Sequence, residues 1–317
     1  MKPIVTLTVN PAIDASCVAD EVVPMRKVRT RDERYDPGGG GLNVARVIHE
    51  LGGEAVAFYM AGGYTGMALE GLIERSGITA VRVPIAGLTR VSHTVYETST
   101  GHEFRFTPEG PEVSEAEWRH CLEVLSVIDG EYFVVSGSLA RGMPVDFYGR
   151  IAHVVKQRGG KLVLDTSGAP LHWALEEGVW LVKPSKRELE HLMGRKAPTP
   201  EEEEALAREV VASGRAEIVA LTLGSAGAVL ANHKGTFRLA SPRVETRSAV
   251  GAGDSFVGAV VWALTHGRQL PEAFAYGVAA GAASAMTPGT ELCRRADVER
   301  LYEVVRAQLP YQEAISI

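Results

Sequence analysis

Apolar and polar positions alternate through Ile4-Val5-Thr6-Leu7-Thr8-Val9, the two-residue period of a strand. Short apolar runs at Ala55–Met60, Tyr132–Ser136, Lys161–Asp165, Trp180–Val182 and Ile218–Leu223 predict further, buried strands. Between them, Val44–Leu51, Thr65–Arg75, Ser114–Leu125, Val145–Gln157 and Thr199–Ser213 carry the length and apolar spacing of helices. Ser114 with Glu117 forms a capping-box pattern, and Thr199-Pro200 with Glu202 adds a proline at the first helical position. Strands and helices in alternation predict an α/β fold, a mostly parallel central sheet flanked by helices on both faces.

Two stretches break this rhythm. Residues 14–35 look extended, and Ser92–Thr98 with Glu103–Thr107, joined around Ser99-Thr100-Gly101, reads as a hairpin. Together, about 14–35 and 90–107 are expected to form a small β-sheet lid on a single domain, 1–317, with an apolar face covered by substrate or a second subunit. Gln312–Ile317 reads as a loose tail.

Composition narrows the partners. The 317 residues are 45% hydrophobic with a net charge of −6, which gives no general attraction to nucleic acid or an anionic membrane and points to a small ligand. Cys17, Cys121 and Cys293 are widely separated, so neither a disulfide framework nor a zinc site is indicated, in keeping with a reducing cytoplasm. No apolar stretch reaches the ~20 residues that span a bilayer, and the N-terminus lacks a signal-peptide core. Trp173, Trp180 and Trp262 read as core or interface residues.

Two glycine segments carry candidate chemistry. Gly251-Ala252-Gly253-Asp254 opens the apolar helical run Val257–Leu264, so small residues leave the first N–H groups open to an anion and the helix dipole adds positive charge. By itself the pattern equally describes a glycine turn with an aspartate cap. Gly38-Gly39-Gly40-Gly41 before Leu42-Asn43 lets backbone approach a polyhydroxylated ligand, or forms a flexible loop. Neither segment has the dinucleotide Gly-x-Gly-x-x-Gly spacing, which weakens a nicotinamide oxidoreductase reading, and the chain has no P-loop, so the P-loop and protein-kinase routes to phosphoryl transfer are not supported.

Taken in order, Asn10-Pro11-Ala12-Ile13-Asp14, the glycine loop with Asn43, Lys183-Pro184 with Glu188, and Val250–Asp254 resemble the PfkB/ribokinase family of sugar kinases over nearly the whole chain. Ser136-Gly137-Ser138-Leu139 and Gly289-Thr290-Glu291-Leu292-Cys293 narrow the resemblance to the PfkB-type 6-phosphofructokinase branch. Related fructose-1-phosphate and tagatose-6-phosphate kinases usually have lysine where this chain has Gly40.

The resemblance implies a ribokinase-like fold, ATP with Mg2+, and transfer of a phosphoryl group to the C1 hydroxyl of fructose 6-phosphate. Asp254 matches the general base, with the amides of Gly251, Ala252 and Gly253 as the anion hole. Asp14, Gly38, Gly39 and Asn43 match positions that meet sugar hydroxyls, and Ser138 joins the substrate side. Lys27, Arg90 and Arg105 match cations for the sugar's phosphate, with Arg29 a further candidate. On the nucleotide side stand Lys183, Ser185, Glu188, Thr222, Gly224 and Gly227, Glu188 acting on the metal through water. Ser185 replaces the family's asparagine, and Ser185 with Glu188 also satisfies a plain capping box. Cys293 is expected near the nucleotide. The resemblance further implies a homodimer through the lid. Tagatose-6-phosphate kinase and 1-phosphofructokinase remain alternatives in substrate, and a non-catalytic sugar-phosphate sensor is an alternative in class.

Overall fold

The structure is a computed structural model whose described residues are 3–309; the expected tail Gln312–Ile317 lies outside them. The first half of the chain runs β1 (Ile4–Thr8), β2 (Ala12–Ala19), β3 (Thr30–Gly38), α1 (Gly40–Glu50), β4 (Ala55–Ala61), α2 (Gly63–Arg75), β5 (Thr79–Pro84), β6 (Arg90–Glu97), β7 (Glu103–Phe106) and α3 (Glu115–Val127). There follow β8 (Tyr132–Ser136), α4 (Phe147–Gln157), β9 (Lys161–Asp165), α5 (Gly168–Glu177), β10 (Val179–Val182), α6 (Lys186–Leu192) and α7 (Pro200–Ala212). The last part comprises β11 (Ala216–Thr222), β12 (Ala228–Asn232), β13 (Gly235–Leu239), α8 (Ala252–Thr265), α9 (Leu270–Ala285) and α10 (Arg295–Arg306).

Nine strands form the central sheet in the order β13-β12-β11-β10-β9-β8-β1-β4-β5. Pairing is parallel from β11 to β5, and β12 and β13 close one edge antiparallel. Within β8, Phe133 and Val135 enter one core layer while Tyr132 and Val134 enter the other, so helices cover both faces, as expected. Strand order reverses about β1, and sheets of this kind bind ligands outside the carboxyl ends of the strands near such a reversal.

The extended segments form a separate four-stranded sheet, β3-β2-β6-β7, with β2 and β6 parallel and β6–β7 the anticipated hairpin. All three capping boxes, at Ser114, Ser185 and Thr199, are formed; removing such a cap costs about 1 kcal/mol.

The main differences from the expected elements have physical causes. α1 starts at Gly40 rather than Val44, because the glycines themselves make its first turn. α9 was not anticipated, since its Leu-Pro-Glu-Ala-Phe-Ala-Tyr-Gly opening continues into alanine and glycine buried on nearly every face, which erases the amphipathic period. Trp262 is core, but Trp173 is 47% exposed.

Candidate active site

Four neighbouring parallel strands bring a polar or charged residue to their carboxyl ends. Ser136 ends β8, Asp165 ends β9, Lys183 follows β10, and Thr222 ends β11. Lys183 Nζ and Asp165 Oδ1 are 3.0 Å apart and buried. Burial raises Asp165 above the usual carboxylate range; it also works against the charge on Lys183, but the carboxylates of Asp165, Glu188 and Asp254 together outweigh this and hold the ammonium above its ordinary value.

Above that pair lies the start of α8. Gly251 adopts φ 73°, the left-handed region, and turns the chain so that Ala252, Gly253 and Asp254 form the first helical turn. The first intrahelical bond is Ser255 N–H to Gly251 O, 2.8 Å, and no side chain caps the helix. The preceding N–H groups therefore have no partner within the helix and suit an anion. A Cβ on Gly253 would stand 3.3 Å from Lys183 Nζ, which places the ammonium directly behind this turn.

Asp254 is gripped from two sides. Asn43 Nδ2 donates to its Oδ2 at 3.0 Å and Ser136 Oγ donates to its Oδ1 at 3.3 Å. Burial and the charge of Asp165 push its carboxyl up to about 7, against the lowering effects of Asn43, Lys183 and Ser136. A carboxylate of that basicity at neutral pH is well matched to accepting a proton.

On the lid side, Asp14 projects from β2, and burial raises it to about 6 against the charges of Arg90, Arg46 and Arg105. A Cβ on Gly38 would fall 2.0 Å from Asp14 Oδ2, so only glycine leaves that carboxylate room. Gly39, at φ 110°, turns the loop into α1, which carries Asn43 toward Asp254. Arg90 donates to Pro108 O and Asn10 O at 2.9 and 2.8 Å, while its Nε is buried without a partner. Arg105 is exposed on β7, on the same sheet face as Asp14: the pairs Asp14–Ser92 and Thr94–Arg105 fix that register. Ser138 is exposed and accepts from Asn10 Nδ2 at 3.4 Å. Lys27 and Arg29 lie exposed in or beside the β2–β3 loop. Glu103 of β7 accepts from Ser248 Oγ at 3.4 Å, so the lid reaches across to the loop before Gly251.

On the other side of the glycine turn is a cavity of about 570 Å³ whose lining includes Thr222, Gly224, Gly227, Gly253, Phe256 and Val278. That size and its apolar walls suit a nucleotide. Thr222, Gly224 and Gly227 are thus brought together as anticipated. Lys183, by contrast, is committed to Asp165 behind the turn. Ser185 and Glu188 cap α6: Glu188 Oε2 accepts from Ser185 N at 2.7 Å, and Ser185 Oγ accepts from Glu188 N at 3.3 Å. Glu188 also lies close enough to influence Asp165 and Lys183. Cys293 does not line the cavity; it is 2% exposed in the core, where burial pushes its thiol up to about 12.

Sequence reasoning missed Asp165, Ser136 as a partner of Asp254, and the Asp36–Arg46 pair. The first two had a visible signal, since each is the last residue of a correctly anticipated buried strand. The third had none: its members stand only ten residues apart, on either side of the glycine loop, but it is the fold of that loop and the distant Thr290 that set them face to face.

The sequence profile of the family described as pfkB family carbohydrate kinase matches residues 6–297. ATP-dependent 6-phosphofructokinase isozyme 2 of Mycobacterium tuberculosis is 43% identical over 306 residues, covering 96% of this chain and 90% of that protein. The protein of the same name from Escherichia coli is 36% identical, covering 95% and 98%. Among solved structures, the phosphofructokinase-2 from Escherichia coli in complex with fructose-6-phosphate has 34% identity and a TM-score of 0.91, covering 96% of this chain and all of that one. The chain belongs to the pfkB family of carbohydrate kinases.

Proposed function

We propose that the protein transfers the γ-phosphoryl group of ATP to the C1 hydroxyl of fructose 6-phosphate, giving fructose 1,6-bisphosphate and ADP, with Asp254 as general base. The observation that carries this reading is the half-buried, doubly hydrogen-bonded Asp254 at the glycine turn: Asn43, from α1 just after the loop that contacts Asp14, reaches it on one side, and the same turn lines the 570 Å³ cavity on the other. The sugar takes the first side and the nucleotide the second, with their reacting groups meeting at the start of α8.

In this arrangement Asp14, Asn43 and the backbone at Gly38 and Gly39 orient the sugar hydroxyls. Arg90 and Arg105, with Lys27 and Arg29 from the lid loop, hold its phosphate, for which arginine offers paired donors. Asp254 removes the C1 hydroxyl proton as that oxygen bonds to the γ-phosphorus. The bond from phosphorus to the β,γ-bridging oxygen breaks, and ADP leaves with the bridging oxygen. N–H groups of Gly251, Ala252 and Gly253 meet the charge on the transferring group, with Lys183 behind them.

The donor set suits a Mg2+ ion bound mainly through ATP. Glu188 engages one carboxylate oxygen in its cap, and among the described residues no group of three metal-ligating side chains occurs. This fits an ion that keeps several waters and takes one or two carboxylates. Glu188 would hold it through water, and its chemistry is to neutralise the phosphate oxygens of ATP.

The lid offers a reason for a homodimer. Tyr35, His93 and Phe106 fall in one row across the small sheet, on the face away from Asp14, and all are exposed. Pairing of two lids would cover them, and light scattering showing a monomer at working concentrations would remove this part of the reading.

The test is a coupled assay with Mg-ATP across fructose 6-phosphate, tagatose 6-phosphate and fructose 1-phosphate. Fructose 6-phosphate is expected to give the highest kcat/KM; a higher value for either other sugar would reassign the substrate, and no turnover with any would favour a sensor.

A further inference from the structure

The hydrogen bond from Asn43 to Asp254 requires the Asn43 amide to face one way only. Its NH2 must point at the carboxylate, because the alternative would set an amide oxygen against a carboxylate oxygen. What fixes that orientation lies behind it. Arg46, one turn along α1, donates from Nη1 to Asn43 Oδ1 at 3.1 Å and to Pro37 O at 3.0 Å. Arginine has donors only, so it accepts nothing from the amide and demands its oxygen.

Arg46 is itself held. Its Nη2 meets Asp36 Oδ1 at 3.3 Å, with side-chain exposures of 13% and 9%. Asp36 receives Arg34 Nε and Thr290 Oγ1 on its other oxygen, both at 2.7 Å, and Arg34 also pairs with Glu291. The chain of contacts thus runs from the loop before α10, through the end of β3, into α1 and on to Asp254. None of Asp36, Arg46 or Thr290 has a part in the substrate contacts described above.

We infer that Arg46, fixed by Asp36, is a positioning residue that locks the Asn43 amide toward Asp254 and so keeps that carboxylate aimed and ionised. The inference rests on Asp254 being the base. The charged groups facing Asp254 are Asp165 and Lys183, from the ends of β9 and β10, and Arg46 from α1; Arg46 in turn faces Asp36, Arg34 and Asp14. Loss of Arg46 removes a cation that favours ionised Asp254 and frees the amide to turn, and both changes favour the protonated carboxyl.

Arg46→Met, Arg46→Lys and Asp254→Asn should be compared for kcat, both KM values, the pH dependence of kcat, and thermal stability. Arg46→Met is expected to lower kcat about 10–100-fold, the scale of a small misplacement of reacting groups. Both KM values should change little, and the acid limb should move to higher pH. Arg46→Lys, which keeps the charge and a donor, should bring the acid limb back toward the parent and give an intermediate kcat.

A merely structural role would lower the melting temperature and leave the acid limb in place, and that result overturns the inference. So does a folded Arg46→Met with kcat within about twofold of the parent, or one whose KM rises while kcat holds. Should Arg46→Met fail to fold, Arg46→Lys decides: a fall in kcat of about threefold or more at unchanged KM supports the inference, and a smaller fall overturns it. Near-normal turnover by Asp254→Asn would instead sink the base assignment itself. An inactive Asp254→Asn beside a normal Arg46→Met would sink the positioning role alone.

Discussion

The two halves of the site are built in opposite ways. On the side of the central sheet, Asp254, Asn43, Ser136, Asp165 and Lys183 all have protein partners and are buried or half-buried, so their geometry is set before any ligand arrives. On the lid, Lys27, Arg29 and Arg105 are exposed, and Asp14 makes no side-chain hydrogen bond among the described residues. Chemistry is thus placed on the rigid layer, where preorganised donors are most effective. Recognition is placed where groups remain to be completed by substrate or by a second lid. The contrast predicts that changes on the sheet side act on turnover, and changes on the lid side on apparent affinity.

The largest effect should come from Asp254→Asn, a near-isosteric change that removes the base. Turnover should fall by at least about 10²–10⁴ with circular dichroism unchanged. A near-normal kcat in a folded variant would break the assignment. In the parent, kcat/KM should rise with pH through an acid limb near 7, the value to which burial lifts Asp254. Stability runs the other way. Between the ordinary carboxylate pKa and about 7, folded Asp254 keeps a proton that the unfolded chain has lost, so this group weakens the fold as pH rises across that window. Asp254→Asn should therefore melt about 2–4 °C higher than the parent at pH 8, and an unchanged or lower Tm would show that the carboxylate is better solvated than its burial implies.

Arg105→Ala should act on the lid side alone. Hydrogen bonds to a charged group contribute roughly 1.5–3 kcal/mol, so the sugar-phosphate KM should rise about 10–100-fold while the KM for ATP and kcat stay within about twofold. Initial rates with each substrate varied in turn would show this. Equal changes in both KM values would erase the proposed division between lid and sheet.

Much of this division was legible in the sequence. The strands Tyr132–Ser136 and Lys161–Asp165 have the bounds their apolar runs suggested, and the hairpin around Ser99-Thr100-Gly101 forms as expected. The glycine segments also announced where backbone must approach something closely, because Gly38 is confined by Asp14 and Gly251 by its positive φ. Periodicity could not show what depends on three-dimensional convergence. Asp36, Arg46 and Thr290 meet only because β3, α1 and the loop before α10 converge, and the pairing of Lys183 with Asp165 likewise appears only once β9 and β10 lie side by side. α9 stayed hidden for a different reason: a helix buried on nearly every face carries no polar stripe to mark it.

The mildest change tests the junction of the two halves. Gly40 begins α1, immediately after the loop that contacts Asp14, and a Cβ there would lie 2.0 Å from Ser136 Oγ and 2.9 Å from the Ser136 backbone carbon. Gly40→Ala must therefore displace either the Ser136 hydroxyl, which donates to Asp254, or the start of α1, which carries Asn43. Overpacking of this kind costs about 1–3 kcal/mol. The expected result is a lower Tm and a kcat reduced by about tenfold or less, with the sugar-phosphate KM little changed, since Asp14, Arg90 and Arg105 stay in place. If the KM rose instead and kcat held, the loop and not the base would have yielded. The glycine run would then belong to recognition, and the boundary between a preorganised sheet side and an unfinished lid side would have to be moved inward past Gly40.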